Sequence, residues 1–345
     1  MRVILKAEVF ASRLMKHLDL TALIKFGVDE RHLIQVEPPD ADEVQNWLDK
    51  QSEDIREECQ LAFDFGYRLD SDEYGQFSPF TIQVGVDKAR WNQEEPLLPL
   101  DIALKFLSQP FIIFVENRRN DSAFLRATAT GWRKDKLEKF LNQNWIKFEA
   151  GGGMGEVLKQ IEEISEQPEK YLRHFVLFDS DAKKPKMIDK KSQKVVQACD
   201  DKLICYHQLR RREIENYLPL AALWEWTKIH KQKNIRTSRI KKVEAFEKLS
   251  LKQRHHFDMK KGFQGDFKIK AGEKGTEEEK EYRLVGYFYQ NVSTEIRVIL
   301  AQGFGNNIAE LFKEEEFPIK KKWLYDDKSL ILELEPMLEK LLSLV

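Results

Sequence analysis

Cysteine is scarce: three residues in 345, Cys59, Cys199 and Cys205. Their spacing gives no C-x-x-C pair, which excludes a disulfide framework and a cysteine zinc site and leaves reduced thiols in or near the core. Net charge is nearly absent too, with 57 Lys and Arg against 58 Asp and Glu. A chain that is 42% hydrophobic and carries so little net charge is not of the disordered class. Apolar runs stay far short of the roughly 18 residues of a membrane span. The opening MRVILKAEVF lacks the long apolar stretch and small-residue cleavage site of a signal peptide, so a cytoplasmic location is expected. There is no G-x-x-x-x-G-K-[ST]. Gly151-Gly152-Gly153-Met154-Gly155 has neither the lysine nor the hydroxyl of a phosphate loop, so an intrinsic ATPase is not expected. The absence of G-x-G-x-x-G after a first strand argues against a dinucleotide enzyme.

What is present is unevenly distributed. Nine acids lie between Glu37 and Glu58 with only Lys50 and Arg56 among them, whereas Lys228 to Lys261 holds twelve Lys or Arg against Glu244, Glu247 and Asp258. The stretch from Trp224 to Phe257 interleaves basic residues with aromatics and with His230, His255 and His256, which suits a nucleic-acid partner and equally an amphipathic helical pair with a basic outer face. His255 and His256 are adjacent rather than four apart, which does not place two zinc ligands on one helix face.

Periodicity sketches the elements. In the first hundred residues helices are expected over Phe10–Phe26, Asp42–Leu61 and Leu98–Leu107, with a short strand over Pro79–Val84. The middle changes character. Phe111–Val115 is a continuous apolar run, as expected of a strand covered on both faces, and further strands are read at Trp145–Phe148, Phe175–Phe178 and Leu203–Tyr206. Helices are expected from Asp121 onward and over Met154–Ile164. That alternation predicts an open, mostly parallel α/β sheet. The last 120 or so residues read as mainly helical, with an exposed loop around Ala271–Lys280 and with Phe263, Phe267, Tyr282, Tyr287, Phe288 and Tyr289 in the core.

Acids sit where this architecture places ligands, beyond the carboxyl ends of the strands. Glu116 follows the first apolar strand and Asp121 opens the helix after it. Asp179-Ser180-Asp181 follows the third, and Glu213 and Glu215 come shortly after the fourth. Taken singly, each has an ordinary reading: a solvated rim residue, a turn or N-cap, or a partner for Arg210, Arg211 or Arg212. Taken together, carboxylates at three strand ends of one sheet repel unless a cation joins them, and a hard divalent ion with oxygen ligands is the usual solution. Two such ions can clamp a phosphodiester.

Phe114-Val115-Glu116, Asp121, the glycine turn and Phe178-Asp179-Ser180-Asp181 together resemble a TOPRIM domain. Arg212-Glu213-Ile214-Glu215-Asn216-Tyr217-Leu218 further resembles the overcoming-lysogenisation-defect (OLD) type nucleases and their stand-alone relatives in bacterial anti-phage defence. The resemblance covers about a third of the chain, Pro110 to Leu220. It implies an α/β fold with a central TOPRIM domain (Rossmann-like, mostly parallel sheet) at 109–222, an α+β N-terminal region at 1–108 and a mainly helical C-terminal region at 223–345. It also implies a Mg²⁺- or Mn²⁺-dependent endonuclease with two ions, in which Glu116, Asp179, Asp181 and Glu215 are catalytic and Asp121 and Glu213 join them as ligands. Expected partners are nucleic acid, an ABC-type ATPase acting in trans and a second copy of the chain, with no membrane. Lys183, Lys184, Lys186, Arg211 and Arg212 are candidates to meet the phosphate backbone. A downstream basic residue is also implied, with Lys260, Lys261 and Gly303-Phe304-Gly305 near its position. Two departures stand out: Asn117 where the family has Gly, and Asn120 where its next acid falls, so Asp121 matches only with one inserted residue. They favour a rival reading, a catalytically silent TOPRIM-fold assembly subunit. A topoisomerase or primase would need elements that are absent from the sequence.

Overall fold

The computed structural model describes residues 1–13, 16–68, 79–91, 95–164, 167, 171–266, 277–313 and 319–345. Among these residues eight strands form two four-stranded sheets, and every pairing within them is parallel. The first sheet contains β1 (Arg2–Lys6), β2 (Leu33–Glu37), β3 (Thr81–Gly85) and β4 (Leu97–Pro99) in the order β2-β1-β3-β4. The second contains β5 (Phe111–Val115), β6 (Ile146–Ala150), β7 (His174–Phe178) and β8 (Cys205–Gln208) in the order β6-β5-β7-β8. Both follow one plan: the second strand lies on one side of the first, and the third and fourth on the other.

That plan fixes which face each crossover covers. Right-handed connections that reverse direction across a sheet must put their helices on opposite faces. Helices Arg118–Thr128 and Gly131–Asn142, between β5 and β6, contribute Phe124, Leu125, Leu137 and Phe140 to one core with Phe111, Ile113 and Val115. Met154, Val157 and Ile161 of helix Met154–Glu163, with Val195 and Cys199 of helix Lys190–Asp201, join Phe114, Val176 and Phe178 in the other. Alternation along β5 and β7 thus sends successive side chains into different cores, which is why both strands are apolar throughout. The first core continues into the C-terminal helices, ending on Leu334, Leu338 and Leu341 of helix Lys328–Ser343. The second continues into the N-terminal sheet through Val3, Leu5, Ile82 and Val84.

The α/β class and the helical C-terminal region agree with the sequence. The N-terminal region goes beyond the mixed reading, because β1, β2 and β4 turn it into a parallel α/β sheet of its own. Two expected helices there are each interrupted. Phe10–Phe26 divides into helices Glu8–Ala11 and His17–Val28, and Asp42–Leu61 into Asp42–Leu48 and Glu53–Arg68. The supposed loop at Ala271–Lys280 lies partly outside the described residues, and Glu277–Lys280 belong to helix Glu277–Phe288. Phe263 and Tyr289 are buried and Phe288 packs against the core, but Tyr287 is 68% exposed. Phe267 and the Tyr282 side chain lie outside the described residues. Cys59 and Cys199 are buried free thiols and Cys205 is half-buried. Among the described residues no helix is long and apolar enough to cross a membrane.

Candidate metal centre

The order β6-β5-β7-β8 puts the topological switch point between β5 and β7, where the chain leaves adjacent strands in opposite directions and a crevice opens. Glu116 is the first residue past β5 and Asp179 the first past β7. They meet: the Asp179 N–H donates to Glu116 Oε1 at 3.2 Å. Asp179 Oδ1 in turn accepts from Ile214 N–H at 3.1 Å, which brings the Glu213–Tyr217 turn to the same crevice.

Each acid is held by its local backbone. Asn117 is the N-cap of helix Arg118–Thr128, and its side chain accepts from the N–H groups of Arg119 and Asn120, both at 3.1 Å. Asn117 thus does the work of a helix cap, a role that glycine fills only slightly less well. Asp121, buried in the first turn, reaches back so that its Oδ2 accepts from Asn117 N–H at 2.8 Å. Asn120 instead accepts from the Lys313 ammonium, so it is Asp121 that faces the strand end. Asp181 adopts φ +50°, a left-handed conformation that Asp tolerates better than most residues. Its N–H donates to Arg212 O at 2.9 Å, and Ser180 Oγ donates to Arg211 O at 2.8 Å. The Asp-Ser-Asp turn is thereby stitched to the segment carrying Glu213 and Glu215.

Lys260 enters from the C-terminal region. Its ammonium lies 3.1 Å from Glu213 Oε2 and 3.1 Å from Glu215 Oε1. The turn that carries it is fixed twice. Asp258 Oδ1 accepts from the N–H groups of Lys260 (3.1 Å) and Lys261 (2.6 Å), and Gly262 packs against Gly303 so closely that a Cβ at Gly262 would fall 2.0 Å from Leu300 O. Gly305 N–H donates to Lys260 O at 3.2 Å, so the Gly303–Gly305 segment supports this lysine from behind.

The electrostatics are those of crowded, desolvated carboxylates. Burial, reinforced by the charges of Asp181 and Asp121, pushes Glu116 up to about 7 against its hydrogen bond from Asp179. Burial raises Asp121 to about 6 and Glu215 to about 7, with Lys260 opposing both. Asp179 is held well above the usual carboxylate range by burial, then by Glu116 and Glu215. Asp181 is raised by burial and Glu213. Burial lowers Lys260, but Glu213, Glu215 and Asp179 outweigh it and hold the ammonium above the ordinary lysine range.

The remaining candidates separate. Lys183 and Lys184 are half-buried and Lys186 is exposed in the loop after Asp181. Arg211 and Arg212 are not on the surface. Arg211 is 4% exposed and donates to Asn216 O at 2.8 Å and Asp327 Oδ2 at 2.7 Å, while Arg212 reaches Asp258 Oδ2 at 3.2 Å. A buried guanidinium is retained where it is paired, so both serve the scaffold rather than a phosphate backbone. Sequence reasoning missed Glu333. Buried in helix Lys328–Ser343, it accepts from Arg210 N–H (2.7 Å) and Tyr217 OH (2.7 Å) and lies 3.1 Å from His207 Nε2. A glutamate on the apolar face of that helix was the one available signal.

Among the described residues no three of the His, Cys, Asp and Glu side chains are gathered tightly enough to hold an ion as they stand. The donor chemistry nevertheless fits a hard divalent cation: all donors are carboxylate oxygens, their charges repel, and Glu215 Oε2 is buried with no hydrogen-bond partner. No family model, no curated protein and no solved structure matches this chain.

Proposed function

We propose that the protein is a Mg²⁺- or Mn²⁺-dependent nuclease of the TOPRIM, OLD-like type. The observation that carries this reading is the Asp179 N–H to Glu116 Oε1 bond across the switch point. It brings two acids 63 residues apart into one crevice, with Glu213 and Glu215 alongside. Glu116, Asp121, Asp179, Asp181 and Glu215 would hold the ions, with Glu213 beside them. When bound, such ions lower the pKa of a water and neutralise charge on a phosphodiester. The chain's own residues do the rest. Asn117 and Asp121 fix the end of β5, Ser180 locks the Asp-Ser-Asp turn, and Lys260 supplies a cation to the non-bridging phosphate oxygens once it is released from the glutamates. Lys183, Lys184 and Lys186, in the loop that follows Asp181, would meet the nucleic-acid backbone. Without a phosphate loop of its own, the chain depends on an ABC-type ATPase in trans for activation, in the cytoplasm and as a homodimer.

The decisive assay incubates the protein, alone and with such an ATPase, with plasmid, single-stranded DNA and tRNA in Mg²⁺ or Mn²⁺. Cleavage that EDTA abolishes, and that Glu116→Gln or Asp179→Asn lowers by about two orders of magnitude or more, supports the nuclease. Among the described residues no ligand set is gathered, and this favours a second reading, a silent TOPRIM-fold assembly subunit. Nucleic-acid or ATPase binding without cleavage under every one of these conditions would select it.

A further inference from the structure

Lys260 is held differently from the acids it faces. Its backbone is fixed: Asp258 Oδ1 accepts from its N–H, Gly305 N–H donates to its carbonyl, and the Gly262–Gly303 contact closes the turn. Its side chain keeps more freedom. It is 31% exposed, against 9% for the Glu213 side chain and 1% for that of Glu215, so the ammonium is the member of the trio open to water. A flexible four-carbon stem lets it swing away while the turn stays in place. The neighbouring guanidinium does not share its task equally. Arg212 donates to Asp258 Oδ2 at 3.2 Å and comes within 3.8 Å of Glu213 Oε1, whereas Lys260 lies 3.1 Å from Glu213 Oε2.

The two oxygens that face the ammonium, Glu213 Oε2 and Glu215 Oε1, are also hard donors of the kind that Mg²⁺ and Mn²⁺ prefer. Such an ion carries twice the charge and sits at roughly 2.1 Å from its oxygens, so it outcompetes an ammonium held at 3.1 Å. We propose that Lys260 is an exchangeable internal counter-cation, which holds the Glu213–Glu215 side of the centre until a divalent ion displaces it and so sets the affinity for that ion. This inference rests on the metal reading above, and adds to it the event that frees the ammonium for substrate phosphate. It also accounts for the stability of two buried, facing glutamates before an ion arrives, since a carboxylate removed from water needs a paired cation.

The test uses the full chain without nucleic acid. Wild-type protein is treated with an amine-acylating reagent in EDTA and in millimolar Mn²⁺, and peptide mass spectrometry follows Lys260 beside the exposed Lys252. Lys260 should be protected in EDTA and become several-fold more reactive with Mn²⁺, while Lys252 should not change. Calorimetry with Mn²⁺ alone is then run on wild type, Lys260→Met and Lys252→Met. Lys260→Met should bind Mn²⁺ about tenfold more tightly than wild type, and Lys252→Met as wild type does. A lysine that merely props the turn predicts the opposite sign, because its loss would loosen the site and weaken the ion. The footprint needs no variant, so it decides the matter even where Lys260→Met fails to fold. Mn²⁺ binding without a rise in Lys260 reactivity, no tighter binding by a folded Lys260→Met, or equal tightening by Lys252→Met would overturn the proposal and leave the metal reading in place. If no form of the protein binds Mn²⁺, the metal reading falls and the proposal falls with it.

Discussion

Lys260 stands in the acidic crevice as a resident cation, 3.1 Å from each of two glutamates. Glu215 is only 1% exposed in its side chain and Lys260 is what holds its carboxyl down, so without the ammonium the acid must take up a proton and lose its ion pair. Lys260→Met should therefore lower stability by about 2 kcal/mol at neutral pH in EDTA, measured by urea unfolding. Millimolar Mn²⁺ should restore more stability to the variant than to wild type. If the variant is as stable as wild type in EDTA, the ammonium is not balancing those acids. The carboxylates also predict a pH dependence. Glu116 and Glu215, raised to about 7, and Asp121, raised to about 6, hold protons in the folded state that the unfolded chain has already released. Stability from these groups is complete below their unfolded values and is lost as pH rises from about 4 to about 7. Urea midpoints in EDTA should fall across that window, and Glu116→Gln should flatten the decline. At this scale the acids were legible because each follows an apolar strand. Lys260 was only one of several candidates, since its place depends on the Gly262–Gly303 contact, which joins turns some forty residues apart. Arg211 and Arg212 were misread because a doublet of arginines looks the same whether it faces phosphate or Asp327 and Asp258.

Among the elements, helix Lys328–Ser343 reaches furthest. Glu333 fastens it to Arg210 and Tyr217 at the turn bearing Glu215, and Glu339 pairs with Arg133 on helix Gly131–Asn142. Removing the Glu333 carboxylate strands three donors, so Glu333→Ala should cost about 3 kcal/mol by chemical denaturation. If the proposed nuclease reading holds, Glu333→Ala should also lower the Mg²⁺- or Mn²⁺-dependent cleavage, whereas Glu333→Gln should recover part of both. The basic helix Lys233–Glu247 makes a different prediction. Lys241, Lys248 and Lys252 are exposed on this helix and the turn and short helix that follow. If they meet duplex DNA, replacing all three with Gln should reduce the slope of log affinity against log salt by about 0.9 for each phosphate no longer neutralised. An unchanged slope would remove this face from the interface. Strands β5 and β7 were readable because both faces of each are covered. Arg2–Lys6 escaped notice because a strand with charged residues at both ends offers no uninterrupted apolar run.

The whole molecule is bound together by two cores that share the central sheet, one running into the N-terminal sheet and the other into the C-terminal helices. Phe114, Val176 and Phe178 give one face of that sheet to the first arrangement, while Phe111, Ile113 and Val115 give the other face to the second. Urea unfolding followed by tryptophan fluorescence and by far-ultraviolet circular dichroism should therefore give coincident single transitions. Separated midpoints would mean that the N-terminal sheet unfolds independently. That both sheets share one strand order could not be read from the sequence, because parallel pairing is decided by long-range register and not by local pattern. One long helix links these layers. Ser343 O accepts the Phe80 N–H beside β3 at 2.9 Å, and Glu333 sits ten residues earlier at the carboxylate turn. Pro336, which has no N–H to give, removes one backbone hydrogen bond from the otherwise continuous helix between those two anchorages. A single rod thus spans from the edge of β3 to the Glu213–Tyr217 turn, so a disturbance of either end has one short covalent route to the other.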